Sequence, residues 1–159
     1  MTRSGRVRRS ALVGVLTTAL TMGVVATAPS AGAASPEAQL LSIINHVREQ
    51  HGLRALQLNV RLSEDAERHT RRMIDRAELF DPPNLPRLLR PYDWRTVGAS
   101  VSGCDDTLQG LMRRWMAHDE HRDILLIPGL RRAGIGVVFA DGRTACGLDQ
   151  FWATGILYG

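Results

Sequence analysis

The first 33 residues restrict the rest of the chain more than any other feature of the sequence. Four arginines lie within residues 3–9, no acidic residue precedes Glu37, and residues 11–28 carry no charge. Small residues follow, and Ala31-Gly32-Ala33 has the A-x-A pattern of a cleavage site. This layout is typical of a secretory signal peptide. We therefore expect residues 1–33 to be removed on export and residues 34–159 to form a single extracellular domain.

A membrane anchor is the alternative interpretation of the same segment. Its apolar run is diluted by four threonines and ends at Pro29, whereas a spanning helix needs about 20 predominantly apolar residues. The sequence therefore predicts cleavage, with no transmembrane segment afterwards. The Arg8-Arg9 pair leaves both general secretion and the twin-arginine route open.

Removal of the signal also removes the basic character of the chain. All 20 basic residues are arginine, four of them lie in residues 1–33, and the remaining 16 equal the 16 acidic residues. With no net charge on the mature part, global electrostatics gives no reason to expect a nucleic-acid partner. The 126 residues that remain suit one domain, which we expect to be a monomer.

Cys104 and Cys146 are the only cysteines, and both lie in the part expected to be exported. In an oxidising compartment such a pair favours a disulfide. A crosslink that closes a loop of about 40 residues stabilises a domain by roughly 2–4 kcal/mol. A reactive thiol or a metal pair is disfavoured, because no third soft ligand lies nearby in the sequence.

Helices are predicted at three places. Ser35 caps the first, in which Leu40, Leu41, Ile44 and Val47 recur at helical spacing. Ser63 caps the second, and residues 105–107 cap the third. Prolines make residues 82–96 irregular.

Strands are predicted mainly in the second half of the chain. Residues 97–103 form a short strand, and residues 118–122 form a polar elbow after the third helix. Residues 135–139 and 144–152 form a hairpin around the favoured turn pair Asp141-Gly142. Helices followed by a late-pairing sheet indicate an α+β fold.

Five segments in this order resemble the CAP superfamily, which includes cysteine-rich secretory, venom allergen and plant pathogenesis-related proteins, and the short bacterial SCP-like branch in particular. They are LSIINHVR at residues 41–48, AERHTRRM at 66–73, YDWRTVG at 92–98, WMAHDEHRDIL at 115–125 and AGIGV at 133–137. The resemblance covers nearly all of the mature chain, from residue 41 to about residue 152. It implies a three-layer α-β-α sandwich.

The resemblance also implies a central cleft in which two His and two Glu can hold a divalent metal. Here the first family His position holds Asp81, the family's Gly-Glu-Asn sequence places Ala99 and Ser100 at its last two positions, and His118 falls at the other Glu position. Only His121 matches. Because a metal site needs several correctly placed ligands, we expect a degenerate site with no cofactor beyond weak divalent binding.

Two chemical alternatives use the same cleft residues. His118 and His121, three apart, with Asp81 opposite could ligate zinc, or they could form a solvated elbow. A serine nucleophile with His121 as its base would need Gly two residues on each side of the serine. Neither Ser100 nor Ser102 has that pattern, and alternation along a strand explains both serines better.

The apolar residues between Leu79 and Trp94 also allow two interpretations. The resemblance implies that some family members bind sterols or other lipids through loops near the cleft. The same side chains could instead cover the core of the sandwich, which is the interpretation we favour.

Together these patterns predict a secreted binding or interaction domain to which no catalytic residue is assigned. Its partner would be an extracellular ligand, such as a lipid or a component of the cell envelope. The alternative function is a metal-dependent hydrolase that acts in the cell envelope. We expect His121 to be a structural residue that hydrogen-bonds across the cleft to Asp81.

Overall fold

The structure, a computed structural model, describes residues 34–159. The expected signal peptide lies outside these residues, so its cleavage stays a prediction. Five helices and four strands follow in order: α1 Pro36–Gln50, β1 Gln57–Leu58, α2 Val60–Arg76, α3 Leu85–Leu89, β2 Gly98–Asp105, α4 Leu108–Ala117, α5 Asp119–Leu125, β3 Arg132–Thr144 and β4 Gly147–Tyr158.

The four strands form one sheet in the order β1-β3-β4-β2. β4 is antiparallel to both of its neighbours, whereas β1 runs parallel to β3. Because side chains alternate along a strand, one face of the sheet packs against α1, α4 and α5, and the other packs against α2 and α3. The expected α+β, three-layer sandwich is therefore confirmed.

Helix α2 lies directly on β3 at two glycines. A Cβ atom added at Gly134 or Gly136 would come closer than 3.0 Å to backbone atoms of α2, at Leu62 and at Glu67 respectively. Real Cβ atoms essentially never approach another heavy atom so closely. The helix can occupy this position because neither residue has a side chain.

The second helix begins earlier than predicted. Its N-cap is Asn59, whose Oδ1 accepts a hydrogen bond of 3.1 Å from Leu62 N, so the expected cap at Ser63 is wrong. The Ser63 hydroxyl instead accepts a bond of 3.0 Å from Ile135 N in β3, and it donates to Asn59 O. This serine therefore joins the helix to the sheet.

Two segments predicted to be non-helical contain helical residues. Residues 82–96 contain α3, in which Pro86 lies in the first turn, where a missing N–H costs nothing. The expected elbow at residues 118–122 largely belongs to α5, because Asp119 and Glu120 suit the positive end of a helix.

The hairpin turn also lies elsewhere than predicted. Thr144 pairs with Gly147, so the turn is at residues 145–146, and Asp141-Gly142 lies in a register shift within β3. Gly142 has φ of +85°, and its N–H donates to Asp149 Oδ1 at 2.7 Å. A glycine at positive φ suits a bulge as well as a turn, which explains the error.

The expected disulfide is present. It joins Cys104, in β2, to Cys146, in the hairpin turn, and their Cα atoms are 6.2 Å apart. The bond therefore ties the end of the β3–β4 hairpin to the outer strand of the sheet.

Within residues 34–159, Arg48 in α1 is a fully buried charged residue, which the apolar stripe of that helix did not predict. Its side chain is fully buried, whereas Val47 is only half-buried. Its Nε donates to Arg54 O at 3.0 Å, and its Nη1 donates to Leu125 O at 2.6 Å. Burial lowers the pKa of the guanidinium below its ordinary value. Arg48 thus joins α1 to the loop before β1 and to the end of α5.

The apolar residues around α3 mainly cover the core. Leu89 and Tyr92 are buried, and Trp94 packs against the same cluster; Leu79 is 47% exposed. Among the helices of residues 34–159, none is long and apolar enough to cross a membrane.

Candidate functional site

The five residues at the positions of the family's cleft come from three parts of the fold. Asp81 lies in the exposed loop after α2, and Ala99 and Ser100 lie near the start of β2. His118 is the N-cap of α5, and His121 lies in its first turns.

The structure brings Asp81 and Ser100 together. The Ser100 hydroxyl donates to Asp81 Oδ1 at 3.3 Å. Ala99, beside it, offers a methyl group where the family carries a carboxylate. On this side of the expected cleft, a hydroxyl group is therefore hydrogen-bonded to a carboxyl group.

The two histidines are close to each other. Their ring centroids are 5.8 Å apart in an edge-to-face arrangement. His118 is exposed and His121 is half-buried, with a buried Nδ1 that has no hydrogen-bond partner within residues 34–159. The Nδ1 atom of His121 therefore does not form the expected bond to Asp81. The hydrogen bond that Asp81 accepts comes from the Ser100 hydroxyl group.

These residues do not fit a divalent metal of the family's kind. In the part of the chain that the structure describes, no group of three or more His, Cys, Asp or Glu side chains is placed to hold a metal ion. Ala99 has no donor atom, and the Asp81 carboxylate is engaged by Ser100. A site for Zn²⁺ needs at least three protein ligands in one place.

The serine-nucleophile alternative also lacks its geometry. β2 pairs with β4 without interruption from Gly98 to Asp105, so neither serine lies on the strand-to-helix turn that a nucleophile elbow requires. Ser102 is buried opposite Thr154, and its carbonyl accepts from Trp115 Nε1 at 3.0 Å. Both serines are therefore strand residues.

His69, in α2, holds the loop that carries Asp81. It is fully buried, its Nε2 donates to Phe80 O at 2.7 Å, and its ring packs edge-on against Phe80. Burial lowers the pKa of the His69 imidazole, and this effect outweighs the bond to Phe80 O, which raises the pKa. His69 is a structural residue, as its place on the apolar face of the helix predicts.

The lowered pKa of His69 makes stability depend on pH. As pH falls through about 6.5, the ordinary His value, the unfolded state binds a proton that the folded state does not. The free energy of unfolding should therefore fall towards acid, by at most about 1.4 kcal/mol per pH unit from this group. Urea unfolding at several pH values measures this dependence in the parent and in His69→Gln, which keeps a donor for Phe80 O. Parallel pH dependences in the two proteins would contradict this assignment.

A cavity elsewhere in residues 34–159 was not predicted. It has a volume of about 700 Å³, and its walls carry Arg54, Arg95, Arg131 and Arg132, with Tyr92 among the other lining residues. We call it the arginine cavity. The adjacent pair Arg131-Arg132 is visible in the sequence, but the other two arginines come from distant segments.

Comparisons with known proteins agree on one family. The model of the cysteine-rich secretory protein family, CAP, matches residues 41–156. An uncharacterized protein of Bacillus subtilis, YkwD, is 27% identical over 110 residues, which are 64% of this chain and 42% of that protein.

Solved structures show the same fold at lower identity. An extracellular protein of Bacillus anthracis that contains an SCP domain has a TM-score of 0.61 at 18% identity, over 77% of this chain and 40% of that one. An outer surface protein of Borrelia burgdorferi has a TM-score of 0.55 at 12% identity, over 77% of this chain and 92% of that one. The chain thus spans less than half the length of its two Bacillus relatives. Since the family model covers most of the chain, the protein belongs to the CAP family of cysteine-rich secretory proteins.

Proposed function

We propose that this protein is exported and acts as a CAP-type binding domain without catalysis. Three observations support export: the signal-like residues 1–33, the disulfide between Cys104 and Cys146, and structural relatives described as extracellular or outer-surface proteins. Disulfides persist mainly in oxidising compartments.

The observation that carries the non-catalytic part is the Ser100–Asp81 bond beside Ala99. A metal hydrolase needs a cation with an open position to activate water. In this CAP domain, one ligand position offers no donor and another is joined to a hydroxyl group. The domain then keeps the fold of the family without the family's metal-ligating residues. We infer that such a domain acts by binding another molecule.

A metal-dependent hydrolase is the second candidate, and the His118–His121 pair favours it. The buried Nδ1 of His121 has no hydrogen-bond partner within residues 34–159, and the two ring centroids lie 5.8 Å apart. Two imidazoles alone make a weak site for Zn²⁺, since catalytic zinc has three protein ligands.

Native mass spectrometry of the protein recovered from the culture medium tests the proposal. We expect a chain that begins at Ala34 or Ser35, two hydrogen atoms lighter than the reduced form, and without bound zinc. An intact chain from Met1 held in the membrane would refute export. Bound zinc in the purified protein would favour the hydrolase.

Calorimetric titration with Zn²⁺ makes the same test quantitative. We expect no sub-micromolar binding near neutral pH, because the ligand set is incomplete. His121→Ala is the informative variant, and His46→Ala, which changes an exposed histidine of α1, is its matched control. Sub-micromolar binding that is lost only in His121→Ala would overturn the proposal.

A further inference from the structure

The arginine cavity carries a positive charge that the domain as a whole does not. Its lining side chains include four arginines and one acidic residue, Asp93. Asp93 is already paired with Arg95, at 3.0 Å. A carboxylate group at Gly159, which also lines the cavity, would still leave an excess of positive charge.

The three remaining arginines have no acidic partner. Arg54, Arg131 and Arg132 are exposed, and within residues 34–159 none of their guanidinium groups takes part in an ion pair or a hydrogen bond. Elsewhere, Arg68, Arg71, Arg114 and Arg122 are all paired with acids. Three guanidinium groups without an acidic partner therefore line one concave surface.

The backbone fixes the places from which these arginines project. Arg54 O accepts from the buried Arg48 Nε at 3.0 Å. Arg131 donates its N–H to Tyr158 O at 2.9 Å and accepts from Gln57 N at 2.9 Å. Arg132 lies in the sheet between Gln57 and Tyr158. A site whose donors start from a rigid frame loses less entropy when a ligand binds.

Two tyrosines line the same cavity without adding negative charge. The Tyr92 hydroxyl donates to Asp65 Oδ2 at 2.6 Å, and the Tyr158 hydroxyl accepts from Asn59 Nδ2 at 2.8 Å. Burial, followed by the bond to Asp65, raises the pKa of Tyr92 to about 12, so the phenol stays neutral near pH 7. Neither phenol therefore offsets the positive charge of the cavity.

We propose that the arginine cavity binds a ligand through its phosphate groups. Three guanidinium groups match a ligand with two or more negative charges, and their forked donors suit phosphate oxygens. A volume of about 700 Å³ lies within the usual range of small-molecule sites, about 300–1,000 Å³. The phosphate could belong to a soluble phosphate ester or to a lipid headgroup, since both present the same oxygens.

This inference names a ligand class for the binding role proposed above and rests on that role. Failure of this inference can be distinguished from failure of the proposed function. The inference depends on phosphate binding at the arginines, whereas the proposed function is tested by zinc binding at His121. A protein that binds neither zinc nor phosphate would keep its non-catalytic assignment and lose only this site.

The test is calorimetric titration of the exported protein with inorganic pyrophosphate at low salt, together with co-sedimentation with phosphatidylglycerol or phosphatidylcholine vesicles. We expect saturable binding of pyrophosphate that weakens as salt rises. The double variant Arg131→Gln/Arg132→Gln should lower the affinity about tenfold or more, because it removes charge-assisted hydrogen bonds. Arg87→Gln/Arg113→Gln, which removes two exposed arginines outside the cavity, should change the affinity less than about twofold.

The two arms identify the source of the phosphate. Binding of pyrophosphate without sedimentation supports a soluble phosphate ester. Sedimentation with phosphatidylglycerol alone, lost in the cavity variant and kept in the control, supports a headgroup. Absence of binding in both arms, or equal weakening in both double variants, would overturn the proposal. Circular dichroism of both variants checks that each is folded.

Discussion

Gly136→Ala should lower the free energy of unfolding by about 3 kcal/mol, at the upper end of the effects of overpacking. The added methyl group would collide with backbone atoms of α2 at Ala66 and Glu67. A backbone cannot rotate away as a flexible side chain can, so the helix must move off the sheet. The midpoint of urea unfolding, measured against the parent protein, gives the change.

Gly129→Ala is the matched control for that substitution. Its added Cβ would meet Val97 Cγ1 at 3.5 Å, an ordinary van der Waals distance. We expect this variant to stay within about 0.5 kcal/mol of the parent. Should Gly136→Ala unfold at the same urea concentration as Gly129→Ala, the close contact between α2 and β3 would be disproved.

Arg48→Met should cost about 2–4 kcal/mol of the free energy of unfolding. Methionine keeps an unbranched apolar stem, but it leaves Arg54 O and Leu125 O without their donor. The buried Leu125 O costs roughly 1–3 kcal/mol when it loses its partner, and the part-buried Arg54 O costs less. Removal of a desolvated charge offsets part of this loss.

Urea unfolding measures this cost, with Arg113→Met as the control. Arg113 lies exposed on α4, so its replacement should change stability by less than about 0.5 kcal/mol. Equal stability of the two variants would mean that the hydrogen bonds of Arg48 contribute nothing net.

The sequence predicted those helix starts that depend only on neighbouring residues. Ser35 does cap α1, accepting from Ala38 N at 3.3 Å, and Thr107 caps α4. The cap of α2 was misplaced because Ser63 and Asn59 are both good caps, and the choice depends on contact with Ile135 in the sheet. The hairpin turn was misplaced because Gly142 suits two conformations equally well.

The candidate site was predictable as a set of positions but not as a set of contacts. The resemblance located Asp81 and Ser100, yet their hydrogen bond depends on the path of the loop after α2, which His69 holds from within the core. The arginine cavity brings together Arg54, Arg95 and Arg131 from three distant segments. Only the packing of the sheet determines that these residues meet.

The short β1 has a consequence for how the sheet meets other molecules. β1 covers β3 only at Arg132 and Ala133, and a longer unpaired edge would invite a strand from another chain. The next outward-facing N–H, that of Ile135, is occupied by the Ser63 hydroxyl. An incoming strand could not simply extend the β1 ladder, because it would have to displace a residue of α2. Helix α2 therefore also hinders edge-to-edge pairing of β3 with a strand of another molecule.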